Sequence, residues 1–229
     1  MDIEIGRGKN ARRAYGIDEI ALVPGNCTLD PILADTRWEI GGIKREIPII
    51  ASAMDGVVDV QMAVKLSQLG ALGVLNLEGI QTRYDDPNPI LDRIASVDKT
   101  EFVQLMQERD SQPIHDELIV KRIQEIKEQG GIAAVSVTPA GAVKFGDAIA
   151  QAEADLVFVQ ATVVSTAHLS PETVTPLDLG DFCQRMPMPV VLGNCVTYDV
   201  ALNLMKTGAA AILVGIGPGA ACTSRGVLG

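Results

Sequence analysis

The segment Gly215-Ile216-Gly217-Pro218-Gly219-Ala220-Ala221-Cys222-Thr223-Ser224-Arg225 places one cysteine in a glycine-rich loop directly after the apolar run Ala210 to Val214. A thiolate is a soft nucleophile that both attacks and leaves, so a cysteine held this way suits covalent catalysis at an electron-poor carbon. The apolar run reads as a buried strand. The glycines let the backbone turn sharply and approach a ligand, with N–H groups free to bind anions. In a repeating βα protein, chemistry sits at such strand ends. The other cysteines, Cys27, Cys183 and Cys195, lack the CxxC spacing of a zinc or redox site and read as free thiols, Cys195 as a packed one. His115 and His168 lie in unrelated segments, so no metal site is expected.

Periodicity predicts the elements that must position this loop. A strand over 47–52, a helix over 60–69 and a strand over 71–76 form one βαβ unit. A second series has strands over 132–137, 155–160, 189–192 and 210–215, with helices over 140–152, 179–186 and 198–207. Gly70 and Gly208 follow helices, where a left-handed residue is favoured, and Thr197 precedes one as an N-cap. Residues 81–129 read as polar helices over 89–95, 100–109 and 115–129, with no inserted second domain, and Asp85-Asp86-Pro87-Asn88-Pro89 reads as a solvated turn.

This alternation predicts an α/β fold with an all-parallel sheet, wound as a barrel or as a doubly wound open sheet. No GxGxxG follows the first strand, which favours the barrel. A (β/α)8 TIM barrel takes eight strands and about 250 residues. The expectation is therefore a single barrel domain over 1–229 with about six of the eight strands, incomplete at its C-terminal end.

Composition narrows the function. A content of 47% hydrophobic but only 3% aromatic residues points to a core of Ala, Val, Ile and Leu. Nineteen basic against twenty-nine acidic residues, a net charge of −10, argue against a nucleic-acid partner or a polybasic membrane surface. No apolar span reaches the ~18 residues of a membrane helix. The start MDIEIGRGKN does not read as a signal peptide, so a cytoplasmic protein handling small molecules is expected.

Three segments in order carry a resemblance: Pro48-Ile49-Ile50-Ala51-Ser52-Ala53-Met54-Asp55, then Val191-Leu192-Gly193-Asn194-Cys195-Val196-Thr197, then the Cys222 loop. Together with Tyr15 to Pro24 they resemble the IMP dehydrogenase/GMP reductase family over essentially the whole chain. The resemblance implies the (β/α)8 fold, a homotetramer or higher oligomer, a purine nucleotide substrate (GMP or IMP) and a nicotinamide cofactor. It implies that Cys222 attacks C2 of the purine, with Ser224 assisting proton transfer where the family commonly has threonine. Ser52 and Met54, which on spacing alone read as core or turn residues, would lie against the nucleotide, and Asn194 near the base. Gly217 and Gly219 would shape the loop, and Gln160, Ala161 and Thr162 would meet the cofactor.

Three departures set expectations within the family. Only the helical stretch 80–130 is available where dehydrogenases of the family usually carry a regulatory domain pair of cystathionine-synthase (CBS) type. Gln160 stands where an aspartate often contacts the cofactor ribose, and a neutral side chain objects less to the 2′-phosphate of NADP. Ala220 replaces a serine that often grips the substrate phosphate. The leading expectation is a GMP reductase, carrying out NADPH-dependent reductive deamination of GMP to IMP. IMP dehydrogenase with NAD and a catalytically silent nucleotide-binding relative are the alternatives.

Overall fold

The computed structural model describes the chain apart from residues 1, 13–14, 16–18, 168–175, 218, 220–221, 223 and 225–229. It divides into two compact units, Met1–Asp35 with Gly215–Gly229, and Thr36–Val214. In the first, β1 (Asp2–Gly6) and β2 (Lys9–Arg12) pair as an antiparallel hairpin, with Gly8 at φ +70° in the turn.

The second unit opens with another hairpin, β3 (Trp38–Ile40) and β4 (Ile43–Arg45). Its two-residue turn is Gly41-Gly42, at φ +56° and +88°, a conformation that glycine adopts without a Cβ clash. Neither hairpin is in the alternating βα pattern expected from periodicity. The strands β5 (Ile50–Ala51), β6 (Leu72–Asn76), β7 (Ala134–Val137), β8 (Leu156–Gln160), β9 (Val190–Cys195) and β10 (Ala211–Val214) then form one parallel sheet in sequential order. Each new strand adds beside the last, with no reversal of the kind that creates a doubly wound sheet. The unit is α/β, a curled six-stranded portion of a (β/α)8 barrel.

Helices α1 (Val60–Leu69), α2 (Asn88–Ser96), α3 (Lys99–Ser111), α4 (Asp116–Glu128), α5 (Pro139–Gln151), α6 (Leu179–Arg185) and α7 (Tyr198–Met205) connect these strands. Only α2, α3 and α4, with a short 3-10 turn at Ile80–Thr82, separate β6 from β7. The local signals read from sequence act as expected. Gly70 ends α1 at φ +90°, Thr197 accepts the Val200 N–H at the start of α7, and Gly208 has φ +91°. Asp85 lies on the surface, where a hydrogen bond from Lys121 holds its carboxyl below the usual carboxylate range.

Alternation along the strands builds two cores. Leu75, Val135, Val157, Val159 and Leu192 face outward onto α1, α4, α5 and α6, where Ile119, Ile123, Phe145 and Phe182 are buried. Leu72, Val74, Ala134, Leu156, Phe158 and Val191 face the other way and pack on Trp38, Ile40 and Ile43. The β3–β4 turn reaches Pro189 and Ala210, just before β9 and β10, so this hairpin covers the inner face at the N-terminal ends of the strands. The C-terminal ends of the strands lie at the opposite end of the sheet, the mouth.

Two strand lengths differ from expectation. β5 has two residues rather than six, because Pro48 has no N–H and Ile49 N–H turns back to Ile47 O at 2.8 Å. β9 runs on through Gly193 to Cys195, because Gly193 O accepts from Ala161 N and Asn194 N donates to Ala161 O, at 2.9 and 3.0 Å.

Candidate active site

Parallel pairing brings the first polar residues after the apolar strands to one end of the sheet. Ser52 follows β5, Asn76 ends β6, Thr138 follows β7, Gln160 ends β8 and Asn194 is the second-last residue of β9. Gln160 keeps the register of Leu156 and Phe158 and so belongs to the inner face. It is half-buried, as are Ala161 and Asn194, whereas Thr162 is exposed. The backbone bonds between Ala161 and residues 193–194 hold Gln160–Thr162 beside Asn194. Ser52 and Met54 lie on an exposed turn at the far edge of the sheet, closed by Met54 N–H to Ser52 O at 2.8 Å and Val58 N–H to Met54 O at 3.0 Å. They share the mouth with Gln160 and Asn194 without touching them in the ladder.

Polar residues not singled out from sequence link these ends. Asp55 accepts from Asn76 Nδ2 at 3.4 Å and from Ile80 N at 3.1 Å. Asn76 Oδ1 accepts from Glu78 N at 3.0 Å, and Glu78 accepts from Thr138 N and Oγ1. Thr138 Oγ1 in turn accepts the Gly141 N–H and caps α5. The sequence signal was present, since each is among the first polar residues after a buried strand; the pairings were not. Beside this chain a cavity of about 320 Å³ is lined by Thr138, Pro139, Ala140, Ala161, Val163, Val164, Ser165, Pro176, Leu177 and Leu179.

The glycine-rich loop continues from Val214 and belongs to the other unit. Gly215 and Gly217 have φ +118° and +66°, so β-carbons are disfavoured at both. Ile216 is buried, Gly219 exposed, and Cys222 N–H donates to Gly219 O at 3.1 Å, closing a tight turn. Cys222 is exposed and Ser224 half-buried. Pro218, Ala220 and His168 lie outside the described residues.

The other cysteines differ in setting. Cys195 is buried and its Sγ lies 3.6 Å from Leu213 O, and burial pushes its thiol up. Burial also raises the Cys183 thiol, partly offset by Thr207 Oγ1 at 3.8 Å. A raised thiol carries less thiolate at a given pH, and access to both is restricted. In native protein at mildly alkaline pH, an alkylating reagent is therefore expected to modify Cys27 and Cys222 before Cys183 and Cys195, as read by peptide mass spectrometry. Labelling of Cys195 ahead of Cys222 would contradict this arrangement. Among the described residues, no three His, Cys, Asp or Glu side chains converge on a metal-sized site, and no helix is long and apolar enough to cross a membrane.

A sequentially wound parallel sheet with its polar residues gathered at the C-terminal mouth defines a (β/α)8-barrel protein. The family model described as the IMP dehydrogenase / GMP reductase domain matches residues 14–229, and the chain belongs to that family. An uncharacterized oxidoreductase of Mycobacterium tuberculosis is 34% identical over 220 residues, covering 94% of this chain and 58% of the relative. The crystal structure of an IMP dehydrogenase/GMP reductase-like protein from Corynebacterium glutamicum superposes with a TM-score of 0.85 at 30% identity, covering 94% of this chain and 58% of that one. An inosine-5′-monophosphate dehydrogenase of Borreliella burgdorferi is 22% identical over 238 residues, 96% of this chain and 58% of the relative. The chain thus spans a little over half the length of these relatives.

Proposed function

We propose that the complete protein is an oxidoreductase acting at C2 of a purine nucleotide through a covalent adduct on Cys222. The observation that carries this reading is an exposed cysteine in the glycine-rich loop that follows β10. In the proposed reaction, Cys222 Sγ adds to C2, using the lone pair of its thiolate. Ser224, two residues on, offers a hydroxyl for the accompanying proton movement. Ser52 and Met54 meet the nucleotide from the β5 edge, and Asn194 meets the base from β9. Gly217 and Gly219 let the loop backbone come close.

Gln160, Ala161 and Thr162 fit a nicotinamide dinucleotide as a neutral hydrogen-bonding strand end beside the 320 Å³ cavity. When bound, that cofactor supplies or accepts the hydride at C2. The described residues lining the cavity include the Thr138 and Ser165 hydroxyls.

Two directions use the same adduct. With GMP, addition to C2 expels ammonia, hydride arrives at C2, and the thiolate leaves as IMP forms. With IMP, hydride departs from C2, and water then releases XMP and the thiolate. The neutral Gln160 favours GMP with NADPH, since it removes one reason to reject a 2′-phosphate. One observation favours IMP with NAD, which we take as the leading direction. Relatives of named activity, from Borreliella burgdorferi and Cryptosporidium parvum, are inosine-5′-monophosphate dehydrogenases.

A side-by-side absorbance assay of the full-length protein tests the choice. NADH and XMP formation from IMP and NAD is expected to exceed NADPH consumption with GMP. Faster NADPH-dependent loss of GMP would reverse the direction. Nucleotide binding without turnover of either pair would favour a silent binding relative.

A further inference from the structure

Helix α3 is polar and mostly exposed, with no hydrophobic stripe to hold it down. Leu105 is buried, at 2% exposure, and Arg109 lies one turn later on the same face. The Arg109 Nη1 reaches Asp55 Oδ2 at 3.7 Å, and the two side chains are only 17% and 13% exposed. Asp110, on the other side of the guanidinium, accepts from Arg109 Nε at 2.9 Å. Arg83 donates to the carbonyls of Asp110 and Gln112, which fixes the C-terminal end of α3. Arg109 is therefore presented to Asp55 by a helix end that is itself tied down.

Asp55 lies within the turn that carries Ser52 and Met54. Its carboxylate also receives Asn76 Nδ2 and Ile80 N–H. A β-carbon on Gly79 would stand 1.9 Å from Asp55 Oδ1, so the carboxylate occupies space left by that glycine. A carboxylate this sheltered needs a charged partner, and removing one partner leaves the other uncompensated. Among the described residues, Arg109 is a cation that meets it.

We propose that Arg109 is a positioning residue: paired with Asp55 across 54 positions of sequence, it holds the turn after β5 in the form that receives the purine nucleotide. This rests on the proposed nucleotide reading of Ser52 and Met54. It assigns a role to the segment between β6 and β7, whose helix α3 braces the mouth of the barrel from the side.

Two measurements on the full-length protein test the proposal. In steady-state kinetics, Arg109→Met is expected to raise the nucleotide KM about tenfold while changing kcat by less than about threefold. Arg109→Lys should recover most of that loss. Asp55→Asn should match Arg109→Met, and the double variant should be no worse than the poorer single. An unchanged KM in Arg109→Met, or single effects that simply add in the double variant, would overturn the proposal.

The second readout needs no turnover. Hydrogen exchange of the amides of Met54, Val57 and Val58 should quicken in Arg109→Met, while those of β7 and α5 stay protected. Unchanged exchange at the turn, or equal acceleration throughout, would overturn the positioning role. A wild-type protein that turns over neither nucleotide would sink the proposed function, yet the exchange comparison would still decide whether Arg109 holds the turn.

Discussion

Replacing Cys222 with alanine is expected to lower turnover of the complete protein by at least about 10⁴-fold, because the proposed bond to C2 forms on its sulfur. Among the described loop residues, only Cys222 has a nucleophilic sulfur, and it is exposed on the Gly219–Cys222 turn. Its neighbours cannot substitute. A serine hydroxyl at Ser224 ionises far less readily than a thiol and is a poorer leaving group. Nucleotide affinity should fall much less than turnover, since the binding contacts assigned to Ser52, Met54 and Asn194 remain. Cys27→Ala and Cys183→Ala should keep most of the activity, the first being an exposed thiol and the second lying beside Thr207 at the α7 end. Steady-state assays of the three variants, with intact mass analysis for a nucleotide adduct on the wild type, give the comparison. Turnover retained by Cys222→Ala would end the covalent mechanism.

Gly193→Ala should destabilise the fold by about 3 kcal/mol, the upper part of the usual range for overpacking a buried site. A β-carbon there would lie 2.4 Å from Leu213 Cβ and 3.0 Å from Leu213 O, so β9 and β10 could not keep their present separation. The backbone cannot yield locally, because Gly193 O is held by Ala161 N–H and the next residue, Asn194, pairs back to Ala161. Activity should fall further than stability alone explains. Asn194 adjoins the substituted position, and β10 runs directly into the loop that carries Cys222. Gly25→Ala is the matched control, since nothing lies within 4 Å of a β-carbon there, and a shift within about 1 kcal/mol is expected. Denaturant unfolding of both variants reads the difference. Equal stability of Gly193→Ala and wild type would show that β9 and β10 move apart freely.

The local features of this chain were legible because their causes are local. Apolar runs bounded by glycine and polar residues located the six parallel strands, and the helix ends followed from residues whose caps need only neighbours three or four positions away. Thr197, read as an N-cap, accepts the Val200 N–H, and Gly70, read as following a helix, ends α1 in the left-handed conformation. Where a boundary depended on a partner strand, the reading slipped. The ladder to Ala161 carried β9 past Leu192 to Cys195, whereas at β5 the cause was local, Pro48 having no N–H to give.

The glycine-rich cysteine loop and the residues after each strand also stood out, because catalytic loops and strand-end polar groups have short signatures. Sequence alone therefore determined the α/β class, the positions of the parallel strands and the residues to examine. The tertiary structure decided what they pair with. The sequential strand order, the Trp38 hairpin laid across the inner face, and the contact between Arg109 and Asp55 all join segments far apart in the chain. Such contacts depend on burial and charge pairing that appear only when distant elements pack together, and no local pattern of residues encodes which distant partner will arrive.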